Sequence, residues 1–260
     1  MQFFGATFTI CHRELIRYWR DKVRILTTLI QPLMFLAIFG SGLKQTLAQG
    51  NFGVDFIQFM YPGIIAMNVM GVAFFSTVTT VWDREFGFLR EMMVAPISRS
   101  SIAFGKTLGA TVIASSQALI LLVLAPFIGV KLDIITLPLL FLFMFLVALA
   151  ISGMGLFISS MMRTMESFGL LMQILIFPMF FLSGAFFPLT SVPTWMSVIA
   201  KLNPLSYGVD AMRQILLGGQ IPDQILAKFT INTIPVNGLF LLVFGLVAVS
   251  AAVVVFNKRG

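Results

Sequence analysis

The chain is laid out as long apolar stretches separated by short polar ones. Residues 25–42, 57–81, 107–128, 134–161, 168–187 and 236–256 contain no Asp, Glu, Lys, Arg or His. The hydrocarbon core of a bilayer is roughly 30 Å thick and takes about 20 apolar residues as a helix. Each stretch approaches or exceeds that length, and a charge at the centre of any of them would cost about 2.5–3.5 kcal/mol on insertion. The pattern predicts an all-α polytopic membrane protein with six transmembrane helices in a single domain over residues 1–260.

The polar intervals have patterns of their own. In residues 1–24, Phe4, Phe8, Cys11, Leu15 and Trp19 recur every three or four positions, while Arg13, Arg17, Arg20 and Arg24 form a second stripe. That spacing predicts an amphipathic interfacial helix with its arginines on anionic lipid. In residues 188–235, Val192, Trp195, Met196, Ile199 and Leu202 have helical spacing up to Asn203-Pro204. Val209, Met212, Ile215 and Leu216 resume it until Gly218-Gly219. Two short re-entrant outer helices before the last span are expected there. At the loop of residues 83–100, a helix over residues 81–93 presenting Trp82, Phe86, Leu89 and Met93 on one face is ended by Pro96, and Ser98 or Ser100 is suited to cap the next.

Composition agrees: 58% of the residues are hydrophobic and 10% charged, with a mean hydropathy of +0.99. Too little charge is present to clothe a soluble core of this size. A formal charge of +7 would suit nucleic acid, but its placement argues for a membrane instead. With six spans, Arg13, Arg17, Arg20, Lys22, Arg24, Arg84, Arg90, Arg99, Lys106, Arg163, Lys258 and Arg259 share one side. Lys44, Lys131, Lys201, Arg213 and Lys228 take the other. The positive-inside rule then places both termini in the cytoplasm of an inner or plasma membrane protein. No cleavable signal peptide is expected, because the first apolar stretch follows a basic segment and no small-residue cleavage site follows it.

Candidate chemistry is sparse. His12 has no carboxylate or thiolate constellation around it, so neither triad chemistry nor a metal site is expected, and the lone Cys11, unable to form an internal disulfide, says little about redox compartment. Gly105-Lys106-Thr107 imitates the end of a phosphate-binding loop, but the first glycine position holds Ser100 and no strand precedes it. Lys106 is expected instead to snorkel to the interface. Apolar stretches free of acids, with Glu166 the nearest at an edge, offer no proton relay. This reads as a transport subunit without enzymatic activity or cofactor of its own, its energy supplied from outside. An ion-coupled secondary transporter or passive channel is the competing class, and a receptor or structural membrane protein a third.

At Asp83-Arg84-Glu85-Phe86-Gly87-Phe88-Leu89-Arg90-Glu91-Met92-Met93-Val94-Ala95-Pro96 the chain resembles the cytoplasmic loop of the ABC-2-type permeases, the membrane subunits of ATP-binding-cassette exporters. A second match runs from Phe177-Pro178 through Ser183-Gly184-Ala185-Phe186-Phe187-Pro188 and Pro193-Thr194-Trp195. It continues to Asn203-Pro204-Leu205-Ser206-Tyr207-Gly208-Val209-Asp210-Ala211-Met212-Arg213. The likeness is nearest to the daunorubicin-resistance and nodulation-factor exporter branch. One departure is Arg90, with the acid displaced to Glu91, where many relatives carry an acid directly after the Gly-x-Leu step.

The resemblance implies a homodimer, or a pair of similar permeases, clasping two cytoplasmic ATPase subunits that bind ATP and Mg. Asp83, Arg84, Glu85, Phe86, Gly87, Leu89, Arg90, Glu91 and Pro96 would couple to the ATPase, beside a connecting helix carrying Arg13, Arg17 and Arg20. The substrate path would run between two copies along the first, second and fifth spans, with Phe35, Phe39, Met67, Phe74, Phe177 and Phe181 as candidates. Trp195, Asn203, Pro204, Tyr207 and Arg213 would belong to an outer gate. The apolar path suggests an amphiphilic drug, lipid or lipid-linked substrate. Gly105, Gly109, Ser152, Gly155 and Ser159 would let helices pack closely, most simply within one subunit.

Overall fold

A computed structural model describes residues 2–48 and 55–259, and among them all regular structure is helical. The helix α1 spans Gln2–Arg20 and α2 spans Lys22–Ala48. The break between them falls at Asp21, whose carboxylate accepts the backbone N–H of Arg24 and so caps α2. Helix α3, Phe56–Glu85, starts at Asp55, which accepts from the N–H of Ile57. Then follow α4, Phe88–Val94; α5, Arg99–Leu124, continued by a 3-10 turn Ala125–Ile128; α6, Leu137–Met161; and α7, Met165–Phe181. The chain finishes with α8, Thr194–Leu202; α9, Pro204–Leu217; α10, Asp223–Phe229; and α11, Ile234–Arg259. Of the two serines suited to cap α5, Ser98 does so, its Oγ accepting from the N–H of Ser101.

Among the described residues, five helices (α2, α3, α5, α6 and α11) are long and apolar enough to cross a membrane. Contacts at the chain's basic end join the start of α5 to the end of α11, through Arg99 to the Asn257 carbonyl, and the end of α3 to the end of α6 and the start of α7. At the other end the tip of α2 meets the start of α3, where Gly40 faces Ile57. Helices α2, α3, α5 and α6 therefore alternate in direction, and α11 runs parallel to α6, with Gly238 beside Phe143 and Gly153 beside Val249. Helix α6 is central, packed on α3, α5, α9 and α11, whereas α2 leans chiefly on α3 and leaves most of its surface bare.

The stretch 168–187 departs from expectation. Its helix, α7, is 17 residues long and stops at Phe181. Hydropathy continues through Phe187, but Gly184 takes a left-handed φ of 78°, a conformation that ends helices cheaply only at glycine. The segment 188–235 holds a third helix, α10, beyond the two expected, and α9 is not a surface strip. It is buried along nearly its whole length against α3, α6 and α11.

The small residues work within the chain. A Cβ on Gly155 would fall 2.6 Å from Thr77 Oγ1, and one on Gly153 would fall 2.9 Å from the Val249 nitrogen, so α6 meets α3 and α11 at backbone distance. Gly105 and Gly109 face α1 rather than another span. A Cβ on Gly105 would lie 2.8 Å from Ile10 Cβ. Close approach of this kind lets helices gain dispersion contacts that lipid cannot match.

Candidate functional site

Helix α1 lies on α5 through a narrow buried face of Thr7, Ile10, Glu14 and Tyr18, spaced three and four apart. The helix expected over residues 1–24 forms as α1, and the departure lies in where its arginines go. Phe4 and Phe8 are exposed (79% and 71%), and Arg13 and Arg17 turn towards protein acids rather than lipid. Arg20 stays exposed.

Beneath that face lies a buried ion cluster. Lys106 Nζ sits 2.5 Å from Asp83 Oδ2 and 3.4 Å from Glu14 Oε1, with all three residues at most 4% exposed. Arg13 Nη2 reaches Glu14 Oε1 at 2.6 Å and Asp83 Oδ2 at 3.1 Å, and Arg17 Nη1 stands 3.7 Å from Asp83 Oδ1. Burial pushes the Glu14 carboxyl up, but Lys106 and the Arg13 hydrogen bond outweigh it and hold the group below the usual carboxylate range. Burial likewise opposes the Arg13 charge, and Glu14 and Asp83 more than restore it. Lys106 thus does not snorkel to water. It ties the start of α5 to α1 and to the end of α3.

The rest of residues 83–96 radiates from that cluster. Arg84 donates to the carbonyls of Ser160 and Met162 at 2.9 and 2.8 Å, filling the open C-terminus of α6. Glu85 accepts from the N–H of Met165 at 3.1 Å, the first residue of α7. Gly87, at φ 81°, then turns the chain into α4. This turn breaks the continuous helix expected over 81–93, so its four apolar residues do not share a face. Trp82 and Phe86 point outward with rings 5.4 Å apart, whereas Leu89 is buried beside Ile10 and Ile102. Arg13 and Arg17 lie over the rings of Phe88 and Trp82 at 5.1 and 5.3 Å. Glu91 and Pro96 are exposed, and the Arg90 side chain lies outside the described residues.

At the opposite end α9 closes the tip of α7. Asn203 caps α9 by accepting from the N–H of Leu205, with Pro204 at the first helical position, and its Nδ2 donates to the Met179 carbonyl at 2.6 Å. Ser206 Oγ donates to the Leu182 carbonyl. Arg213, 2% exposed, donates to the Gly184 carbonyl at 2.7 Å with its guanidinium 4.0 Å above the Phe59 ring. Tyr207 donates to the Lys201 carbonyl and stacks on Phe240 at 3.7 Å. These four candidates of the outer gate meet at one junction. Trp195 stands apart, exposed on α8.

The path candidates divide. Phe35, Phe39, Phe180, Phe181 and Phe186 form a chain of ring contacts between α2 and the end of α7, with Phe35 and Phe39 at 4.3 Å. Phe177 extends it by stacking on Phe181 at 6.4 Å, and both are about half exposed. Met67 lines a cavity of about 440 Å³ between α2, α3 and α7. Phe74 is placed elsewhere: it is fully buried against Gly155 of α6, inside the bundle rather than on the α2–α7 face.

Sequence reasoning missed Glu14, the partner role of Lys106, and Asp210. Asp210 accepts from the backbone N–H groups of Ile231 and Asn232, and from Gln214 and Asn237 side chains, fastening α9 to the segment before α11. A lone acid among arginines at position 14, and an acid three residues before Arg213, were the available signals.

Comparison with known proteins places this geometry. Residues 5–217 match the family described as ABC-2 type transporter. The transport permease ycf38 of Cyanophora paradoxa is 29% identical over 214 residues, covering 81% of this chain and 74% of its own length. Nodulation protein J of Rhizobium leguminosarum bv. viciae is 27% identical over 202 residues, covering 76% of each. The multidrug ABC transporter permease YbhR of Escherichia coli K12 is 29% identical over 174 residues, 64% of this chain and 46% of YbhR.

Proposed function

The chain belongs to the ABC-2 type transporter family, and from that premise we propose that it is the permease of an ATP-driven exporter whose motor is a separate pair of cytoplasmic ATPase subunits. Its basic end faces the cytoplasm with both termini. Helix α7 serves as a sixth, short crossing, completed by residues 182–188 and the re-entrant pair α8 and α9. Two copies, or this chain and a similar permease, enclose the path along α2, α3 and α7. The cargo is an amphiphile: a drug, a lipid or a lipid-linked molecule.

The observation that carries this reading is the buried cluster of Asp83, Glu14 and Lys106 directly above the exposed turn at Phe86 and Gly87. A push on α4 passes into three helix ends at once, because the cluster fixes α1, α3 and α5 together while Arg84 and Glu85 hold α6 and α7. Carrying a gate from 1:99 to 99:1 takes roughly 5.5 kcal/mol of differential binding. Closure of two motor subunits on ATP would supply it through paired α4 turns. Among the described residues the ion pairs gather at the basic end of the bundle, in no midplane relay, which favours an external energy source over ion coupling.

The test uses exposed residues so that the fold is spared. Phe86→Ser combined with Glu91→Lys should leave thermal unfolding unchanged while abolishing co-purification with the ATPase and ATP-driven transport. Undiminished co-purification and transport would place the energy input elsewhere.

A further inference from the structure

The cavity between α2, α3 and α7 holds one cation, Arg24, that forms no ion pair with an acid among the described residues, although the charges of Asp21 and Glu14 act on it from further off. Arg24, half-buried one turn inside α2, has its guanidinium 3.5 Å from Ser76 Oγ and 5.2 Å over the Tyr18 ring. Asp21 binds the Arg24 backbone N–H, not the guanidinium. The neighbouring cations Arg13, Arg17 and Lys106 each lie within ion-pair distance of Asp83. No such pair forms at Arg24 among the described residues. A cation drawn partly out of water without a counter-ion is costly unless an anion arrives.

A second orphan lies deeper in the same cavity. Asn68, 4% exposed, donates through Nδ2 to the Thr28 carbonyl at 2.8 Å, which fixes the amide orientation. Its Oδ1 is buried and has no partner. The cavity therefore offers a positive group near the basic end and an unsatisfied acceptor further in. Gln31 also lines the α2 wall, about 10 Å along the helix from Arg24 at 1.5 Å per residue. Beside it α2 exposes an apolar ridge of Leu26, Ile30, Met34 and Ile38.

We propose that this cavity binds an amphiphile with an anionic, hydroxyl-bearing head. The phosphate or carboxylate sits on Arg24, a head-group hydroxyl donates to Asn68 Oδ1, and the tail lies along the α2 ridge. As a statement about cargo this rests on the exporter reading. As a binding site it does not. The same head chemistry can come from a resident membrane lipid or from the exported molecule.

The test titrates the purified permease alone, in neutral detergent, with lysophosphatidylglycerol and lysophosphatidylcholine of equal chain length. The unaltered protein should prefer the glycerol head about tenfold, the order expected for one charge-assisted contact. Arg24→Gln should cut that preference severalfold, Arg24→Lys should keep most of it, and Asn68→Leu should weaken binding of the glycerol head. Lys258→Gln, an exposed cation at the same end, should change nothing. Equal affinity of the unaltered protein for both heads overturns the proposal even if Arg24→Gln fails to fold. So does a preference that Arg24→Gln leaves undiminished. In the complex with its ATPase, stimulation of hydrolysis by the glycerol lipid identifies cargo, and Arg24-dependent binding without stimulation identifies a resident lipid; either result supports the site. Because the titration contains no ATPase, its failure leaves the exporter reading standing, and loss of ATP-driven transport leaves the site standing.

Discussion

Replacing Asp83 with Asn keeps the shape of the side chain and removes the charge on which three cations converge. Lys106, 2% exposed, is left with Glu14 at 3.4 Å as its one acid. Removing one partner of a buried ion pair costs about 3–5 kcal/mol, because the other charge stays stranded. Arg13 and Arg17 are partly exposed and can turn back to water, so the lower end, about 3 kcal/mol, applies. That is about a hundredfold in the equilibrium between docked and released α1. The chain carries its own reporter: Cys11 is its single cysteine and lies where α1 crosses Gly109, whose Cβ position is 3.6 Å from the Cys11 Cα. Burial, and then the Glu14 charge, push the Cys11 thiol up and slow its reaction with maleimide. In Asp83→Asn the labelling rate should rise severalfold and the unfolding temperature should fall. Adding Lys106→Met should recover part of both, since the stranded charge goes with it. Unchanged labelling together with an unfolding temperature within a degree of the parent would refute the claim that this cluster holds α1 in place.

Four further outcomes follow from particular contacts. Gly105→Leu should also raise Cys11 labelling, because a Cβ there already falls 2.8 Å from Ile10 Cβ and 2.9 Å from the Thr7 carbonyl. Gly87→Val forces a β-branched residue to φ 81°, at roughly 1–2 kcal/mol, and should lower ATP-driven transport more than ATPase binding. Asp210→Ala leaves the N–H groups of Ile231 and Asn232 without their acceptor, at about 1–3 kcal/mol, and should speed hydrogen exchange at those two amides. Glu14 is depressed in the folded protein, so its contribution is complete above the unfolded carboxylate value of about 4.3 and is lost as pH falls through the lower folded value. Thermal unfolding of Glu14→Gln and the parent should therefore differ at pH 6 and converge in strong acid.

Much of the architecture was legible because lipid imposes one coarse rule, an apolar run of bilayer length, and that rule survives without tertiary information. The boundary of α7 was not, since Leu182, Ala185, Phe186 and Phe187 are as apolar in a turn as in a helix. Only the backbone conformation of Gly184 separates the two. The partners of the α1 arginines were not legible for a related reason. Spacing shows that two stripes exist, but not that Glu14 and Asp83 wait beneath the arginines, 69 positions apart in the chain. Lys106 illustrates the limit most plainly: a lysine at the end of an apolar run reads the same whether it snorkels to water or closes an ion cluster. The junction at Asn203 and Arg213 was better marked, because Asn-Pro is local cap chemistry and needs no distant partner to be recognised.

The central claim is that energy enters this permease from outside, through the turn below Asp83. Its most direct test is solute accumulation in vesicles holding the purified chain, with and without the ATPase subunits, under an imposed proton or sodium gradient and then under ATP. The account predicts uphill accumulation only when both the ATPase and ATP are present. Accumulation driven by the ion gradient in vesicles that lack the ATPase would contradict it.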